Sequence, residues 1–294
     1  MVEALRRYWF APQPLSDLAL LRIGLVVMLL VRLPALETAL SVGADGPRLT
    51  GNVLPVLRAA MLPLGRLGHW DISVLGPLAW STAVVAGLLA AIGLFARASV
   101  LVFLWALLVL WGAIYSRGDA LYHNNALALI SLGLLACAPC GAALSVDAWR
   151  ARRAGRPVPP EHPDARWPLV TVQWLIALTY LSAAGSKLAR GGLAWFAPST
   201  LQFYLVQDGL RFGNPLALQA ARVPALAAAS ALFSVAYEAL FWLGLVWRRA
   251  LPFLLLGGLV MHVGIFVLQR ANFAEYAALA LAFIDPVRRL RRRS

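Results

Sequence analysis

The chain contains few charged residues and almost no lysine. Only 13% of its 294 residues are charged, and among its 26 basic residues Lys187 is the single lysine. Ordinary soluble domains carry roughly 25% charged residues. The low charge, together with 61% hydrophobic residues and a mean hydropathy of +0.74, therefore excludes an ordinary soluble protein and predicts an integral membrane protein.

Cysteine and histidine are also scarce, which limits the chemistry open to the chain. With only Cys137 and Cys140 present, a disulfide framework is excluded and any redox role rests on this one pair. Their spacing, CAPC, is that of a redox or metal pair, yet buried thiols more often behave as small apolar side chains. The four histidines are widely dispersed, so no metal site is expected.

The net charge of +13 does not indicate nucleic acid binding, because the arginines fall in short clusters between apolar runs. When successive loops are assigned to alternate sides of the membrane, the side that carries both chain termini has more of these arginines than the opposite side. Since cytoplasmic loops are enriched in basic residues, we expect a multi-pass protein of the cell membrane with both termini in the cytoplasm.

Long apolar runs define the fold class. About 20 apolar residues are needed to cross a bilayer as a helix, and runs near this length predict an all-α, polytopic membrane bundle of about eight transmembrane helices. We expect a single transmembrane domain over residues 1–294 with no sizeable soluble domain, and two interfacial segments at 53–67 and 198–218. The predicted spans are Leu18–Leu40, Ser73–Ala96, Ser99–Ser116, Leu121–Leu144, Trp167–Leu188, Val223–Trp247, Ala250–Leu268 and Ala271–Ile284.

Lys187 ends the fifth predicted span on the extracytoplasmic side. Gln173, Tyr180 and Lys187 are spaced by seven, which places them along one stripe of a helix. Ionisable groups at membrane depth usually face the bundle interior or a cavity, so Tyr180 and Lys187 are expected to line one cavity. The alternative is that the lysine side chain extends to the membrane interface.

A polar cluster opens the fourth predicted span on the same side of the membrane. His123, Asn124 and Asn125 stand next to one another there, and asparagine amides can both donate and accept hydrogen bonds to a ligand. His123 could exchange protons near neutral pH. The alternative is a helix cap, although a cap requires only one such residue.

Two further ionisable residues lie in the middle of apolar runs, His262 and Glu238. Buried ionisable groups are usually paired, so they are expected to pair with each other, or Glu238 with Arg22 or Arg32. His262 serves either as a ligand contact or as a structural hydrogen bonder.

The sequence stretches that contain these residues resemble the vitamin K-dependent gamma-carboxylase-like membrane domain, which is also called the horizontally transferred transmembrane domain. The resemblance runs in the order of that family over nearly the whole chain. It is carried by LALLRIGLVVMLLVRL, YHNNALALISLGLLACAPCGAALSVDAW and WLIALTYLSAAGSKLARGGLAWF, and more weakly by GGLVMHVGIFVLQRANFAEYAALALAF.

The resemblance implies chemistry on a quinol. In the carboxylase, the lysine at the position of Lys187 is regarded as the base that deprotonates vitamin K hydroquinone. Lysine suits this role because its amine can become neutral when desolvated, whereas a guanidinium stays charged. The resemblance implies that Lys187 is the base and that the ligand is a vitamin K hydroquinone or menaquinol. From the residues themselves we expect His123 to be catalytic as well, and Asn124, Asn125, Tyr180 and His262 to contact the quinol.

The chain also departs from that family. The carboxylase has a histidine directly after its paired asparagines, whereas this chain has Ala126 there. The carboxylase also has a large lumenal portion that binds a propeptide. Two hypotheses follow. One is a lyase-type enzyme that couples quinol oxidation to proton abstraction or carboxylation on another substrate, such as a peptide. The other is a non-catalytic membrane protein that binds lipid or a partner and retains the fold.

Overall fold

The computed structural model describes residues 2–44, 72–115, 123–156 and 159–284. Within these residues the chain is helical apart from a short antiparallel pair of strands, β1 (Gln13–Pro14) and β2 (Glu161–His162). Short 3-10 turns connect several helices. The α-helices are α1 (Val2–Phe10), α2 (Leu15–Val31), α3 (Leu36–Ala44), α4 (Ile72–Ile92), α5 (Ala96–Tyr115), α6 (His123–Ala136), α7 (Val146–Arg153), α8 (Arg166–Gly191), α9 (Pro198–Arg211), α10 (Pro215–Ala221), α11 (Pro224–Leu240), α12 (Leu243–Val246), α13 (Leu251–Gln269) and α14 (Ala274–Leu279).

Each predicted span contains a helix, which confirms the all-α class. The first predicted span is nevertheless two helices, α2 and α3, with Pro34 between them. Proline has no N–H to donate and disfavours helical geometry in the residue before it, so the helix cannot continue through this point. Likewise, α6 ends at Ala136, before Pro139 of the CAPC segment.

Only some of these helices are long enough to cross a membrane. Three described helical stretches qualify, Ala96–Ile114, Pro163–Phe196 and Arg248–Gln269, and a fourth span results if α10 and α11, bent by 97°, are counted as one. Apolar helices able to cross a membrane are therefore present, whereas the expected number of about eight is not confirmed. The apolar stretches of α4, α6 and α14 are shorter.

The two predicted interfacial segments have different outcomes. The segment at 53–67 lies outside the described residues. The segment at 198–218 is helical, since α9 fills most of it and α10 begins at Pro215.

The chain forms two compact units, Met1–Val170 and Thr171–Ser294. In the first unit α4 packs against α2, α3 and α5, and α5 packs against α6. In the second unit α9 packs against α10, α11 and α13, and α11 packs against α13. The single transmembrane domain over residues 1–294 stays a prediction.

A buried arginine joins distant segments of the first unit. Arg22 has no exposed surface, and its guanidinium donates hydrogen bonds to the carbonyl oxygens of Cys140 at 2.8 Å and Leu144 at 2.7 Å. Gly93, with φ of +70°, passes so close that a Cβ there would overlap Ser145 and Arg22. Backbone carbonyls thus accept from both terminal nitrogens of this buried cation, whereas its Nε has no hydrogen-bond partner among the described residues.

The SVD segment, residues 145–147, caps two helices of the first unit. The Asp147 carboxylate accepts hydrogen bonds from the backbone N–H groups of Phe95 at 3.0 Å and Ala96 at 2.7 Å, where α5 begins. The Ser145 hydroxyl oxygen accepts from the N–H of Ala148 at 2.9 Å and caps α7. Both interactions satisfy N–H groups that have no partner within the helix.

We predict that Asp147→Ala lowers the free energy of unfolding by about 1–2 kcal/mol, because the first N–H groups of α5 lose a charged acceptor. The measurement is thermal unfolding of the detergent-purified protein by circular dichroism. Asp164→Ala is the matched control, since the Asp164 side chain is 59% exposed and lies at the surface, 3.6 Å from Nδ1 of His162. Equal losses in the two variants would contradict the capping role.

Candidate functional site

The polar stripe predicted on α8 is present in the second unit. Gln173 and Tyr180 are 3% and 7% exposed, and the Lys187 side chain is 22% exposed. Each has a different partner: the Gln173 amide donates to the carbonyl oxygen of Ala282 at 2.7 Å, whereas Tyr180 and Lys187 reach other side chains. The spacing of seven therefore identified residues that face the interior.

Lys187 forms a buried ion pair with Glu238. Its Nζ lies 2.6 Å from Glu238 Oε1 and 2.7 Å from Oε2, and it also donates to the Ser234 hydroxyl at 3.2 Å. The Glu238 side chain is only 9% exposed. Glu238 pairs here with Lys187, a partner that we did not predict. The alternative in which Lys187 extends away to the interface is not observed.

An aromatic ring covers the ammonium. The ring centroid of Trp195 lies 5.5 Å from Nζ of Lys187, within the range of a cation–π contact. Gly191, at the end of α8, leaves space for this indole, because a Cβ at Gly191 would overlap it. The carboxylate, the hydroxyl and the indole together hold the ammonium in one position.

A cavity of about 430 Å³ lies beside this ion pair. We call it the lysine cavity. Most of its lining comes from apolar residues of α9, α11 and α13, and its polar groups include Lys187, Ser230, Ser234 and Gln269.

A second cavity, of about 600 Å³, is rich in aromatic residues. We call it the aromatic cavity, and its principal side chains are Tyr180, Tyr237, Phe241, His262, Phe273 and Tyr276. The Tyr180 ring centroid lies 5.2 Å from that of Tyr237, 4.9 Å from that of Phe241 and 5.5 Å from that of Tyr276. Tyr180 is therefore at the centre of the aromatic packing.

The polar pair of the aromatic cavity is Tyr180 with His262. The Tyr180 hydroxyl lies 2.7 Å from Nε2 of His262. The other ring nitrogen, Nδ1, is buried and has no hydrogen-bond partner among the described residues. If the tyrosine donates to Nε2, Nδ1 carries a proton and can donate; if the histidine donates, Nδ1 can accept. His262 can thus offer Nδ1 to either kind of ligand group.

The two cavities lie against different faces of α13. Residues 258, 262 and 266 line the aromatic cavity, whereas residues 260, 264 and 268 line the lysine cavity. Positions four apart share a helix face, and positions two apart do not. The expectation that Tyr180 and Lys187 line one cavity is therefore wrong, because partners on other helices draw the two side chains to different sides of α13.

The predicted cluster at the start of α6 belongs to the first unit. α6 begins at His123, and Asn125 is 8% exposed. The structure describes the backbone of His123 and Asn124 but not their side chains. Their grouping with Lys187 stays a prediction. In the same unit Cys137 is exposed and Cys140 is buried, and both thiols are free.

Three residues around Lys187 escaped the sequence analysis as its partners: Glu238, Ser234 and Trp195. A readable signal existed for two of them. Ser234 and Glu238 are four residues apart in an apolar helix, so they share a face. A hydroxyl and a carboxylate on one face of such a helix require a buried donor, and lysine supplies three.

Comparison with protein-family models, with curated proteins and with solved structures yields no match for this chain.

We predict that Glu238→Leu and Lys187→Met each lower the free energy of unfolding by about 3 kcal/mol, since each leaves one buried charge without its partner. The double variant should lose less than the sum of the two, because it leaves no buried charge unpaired. Denaturant unfolding of the purified protein measures this coupling.

The exposed pair Arg7 and Glu3, 3.1 Å apart with side chains 77% and 63% exposed, is the control. The corresponding double-variant cycle should give a coupling of about 0.5 kcal/mol. A coupling this small for Lys187 and Glu238 would contradict a structural role of their ion pair.

Proposed function

We propose that this chain is a multi-pass protein of the cell membrane, with about eight transmembrane helices and both termini in the cytoplasm, that binds a quinone- or quinol-like ring in the aromatic cavity. The observation that carries this proposal is the partly buried pair of Tyr180 and His262 in the wall of a largely apolar cavity that is rich in aromatic residues. Ligand sites commonly combine an apolar lining with a few such polar groups.

The lining favours a flat ring. Tyr180, Phe241 and Tyr276 present ring faces and edges, and aromatic pairs of this kind add about 0.5–1.5 kcal/mol beyond the burial of their area. The volume of about 600 Å³ also falls within the range of about 300–1,000 Å³ of small-molecule sites. A substituted naphthoquinone or benzoquinone matches this shape and this chemistry.

His262 suits a ligand that changes between two protonation states. A quinone carbonyl accepts a hydrogen bond, and a quinol hydroxyl donates one. Reversal of the Tyr180–His262 hydrogen bond changes Nδ1 from donor to acceptor, so one side chain can bind both forms. Since Nδ1 has no exposed surface, the ligand must displace a neighbouring ring, such as that of Phe273, 5.0 Å from the imidazole by centroid distance.

The catalytic part of the proposal concerns Lys187. In line with the resemblance, Lys187 acts as a base toward vitamin K hydroquinone or menaquinol, with His123, Asn124 and Asn125 orienting the ring. Lys187 first transfers a proton to the Glu238 carboxylate, which leaves a neutral amine beside a neutral carboxylic acid. The amine then takes the proton of a quinol hydroxyl, and for this step the quinol head leaves the aromatic cavity and enters the lysine cavity, because Lys187 lines only the latter of the two. A peptide or another non-propeptide molecule would be the substrate of the coupled proton abstraction or carboxylation.

A second candidate function is a non-catalytic protein that binds lipid or a partner. The observation that favours it is that both Glu238 oxygens and the Ser234 hydroxyl already bind the Lys187 ammonium. An ammonium held in this way keeps its proton unless the ion pair opens. The fold would then be retained for binding alone.

We predict that His262→Phe weakens binding of a short-chain menaquinone about five- to tenfold, because an aromatic ring is kept while the Nδ1 hydrogen bond, worth about 1–1.5 kcal/mol, is lost. Quenching of tryptophan fluorescence in the detergent-purified protein measures the dissociation constant. His162→Phe, in the first unit, is the control and should bind as the wild type does. An unchanged dissociation constant for His262→Phe would remove His262 from the site.

We predict that Lys187→Ala and Lys187→Arg both abolish menaquinol oxidation while menaquinone binding persists. Arginine keeps the charge and its bond to Glu238 but does not release a proton. The assay follows quinone absorbance under oxygen, and circular dichroism verifies that the variants are folded. Oxidation that persists in both variants would exclude Lys187 as the base, and a wild type that binds menaquinone without oxidising menaquinol would support the second candidate.

A further inference from the structure

The lysine cavity has a polar end and an apolar body. At the polar end stand Lys187 and the hydroxyl-bearing residues Ser230 and Ser234, and the Lys187 ammonium is paired with Glu238 behind the cavity wall. The body is formed by leucine, isoleucine and valine side chains, among them Leu205 and Ile265. A ligand that matches this cavity has a small polar head and an aliphatic chain.

The charges of the polar end cancel. Lys187 and Glu238 contribute opposite charges 2.6 Å apart, with side chains only 22% and 9% exposed. A ligand carboxylate or ammonium would leave one charge uncompensated in a poorly hydrated site, which is costly. A neutral hydroxyl avoids this cost, since it adds no charge beside the ion pair and can both donate to and accept from the serine hydroxyls that line the cavity.

The lining includes side chains that also lie on the apolar surface. Leu226, Phe233 and Val260 line the cavity and are 47%, 43% and 58% exposed. A ligand dissolved in the hydrocarbon of a membrane would therefore meet apolar side chains on entry. The volume of about 430 Å³ is at the lower end of the range of about 300–1,000 Å³ for small-ligand sites, which favours one chain over two.

We propose that the lysine cavity binds a neutral, single-chain amphiphile with a hydroxyl head, which hydrogen-bonds to the hydroxyls of Ser230 and Ser234 beside the ion pair of Lys187 and Glu238. This site is distinct from the aromatic cavity, because the two are lined by different faces of α13. The ion pair selects against charged heads, and the apolar body holds the chain.

The test compares three probes with the same chain: dodecanol, dodecanoate and dodecylamine. Binding to the detergent-purified protein is measured by native mass spectrometry at a mildly alkaline pH, at which the second probe is an anion and the third a cation. The wild type should prefer dodecanol at least tenfold over both charged probes. Binding of either charged probe as tight as that of dodecanol would overturn the proposal.

Glu238→Gln provides a gain-of-binding test. The amide keeps the shape of the side chain but leaves the Lys187 ammonium without a counter-charge, so dodecanoate should now bind better than dodecanol. Misfolding cannot produce such a reversal. An unchanged preference for dodecanol in this variant would show that the ion pair does not select the ligand.

Gly264→Leu tests the location. Gly264 lines the lysine cavity, and a Cβ there meets nothing within 4 Å, so a leucine side chain fills the cavity without backbone strain. Dodecanol binding should fall at least tenfold, whereas Gly185→Leu, at an equally open position on α8 that lines neither cavity, should leave it unchanged. Equal binding by both variants would overturn the location.

His262→Phe separates this proposal from the quinone proposal. Because His262 lines only the aromatic cavity, the variant should bind dodecanol as the wild type does. A parallel loss of dodecanol and menaquinone would show that both occupy one site and would overturn a separate amphiphile site.

Discussion

The second unit depends on the neutralisation of one buried charge by another. Lys187 and Glu238 each lie in an apolar helix, where an unpaired charge would cost several kcal/mol. Since both carboxylate oxygens accept from the one ammonium, the pair fixes the position of α8 relative to α11. Ser234 adds a hydrogen bond and Trp195 covers the ammonium, so that the pair is surrounded by groups that stabilise it.

Neighbouring residues on α11 and α13 contribute to different cavities. Tyr237 packs against Tyr180 in the aromatic cavity, whereas Glu238, the next residue, binds Lys187. On α13, His262 and Gly264 likewise line different cavities. Because successive helix residues differ by about 100° in direction, a single pair of helices can build an aromatic site and a charged site side by side. A ligand in one cavity therefore meets different chemistry from a ligand in the other.

Part of the sequence pattern shared with the carboxylase-like family has a structural role. Ser145 and Asp147 of the SVD segment cap α7 and α5, and Arg22, within the first of the resembling stretches, binds carbonyl oxygens near that segment. These residues hold the first unit together through hydrogen bonds to the backbone.

The sequence alone determined the helical class, because long apolar runs leave helices as the way to pair every backbone group in an apolar medium. It also determined the inward stripe of α8, because a spacing of seven keeps Gln173, Tyr180 and Lys187 on one helix face. Only the tertiary structure decided the partner of each residue on that stripe. Gln173 binds Ala282, Tyr180 binds His262 and Lys187 binds Glu238, and each partner lies in another helix. The partner of Tyr180 is 82 residues further along the chain, and that of Lys187 is 51 residues further. Local periodicity fixes the direction of a side chain, but the packing of distant helices fixes what it meets, and this packing separated the aromatic cavity from the lysine cavity.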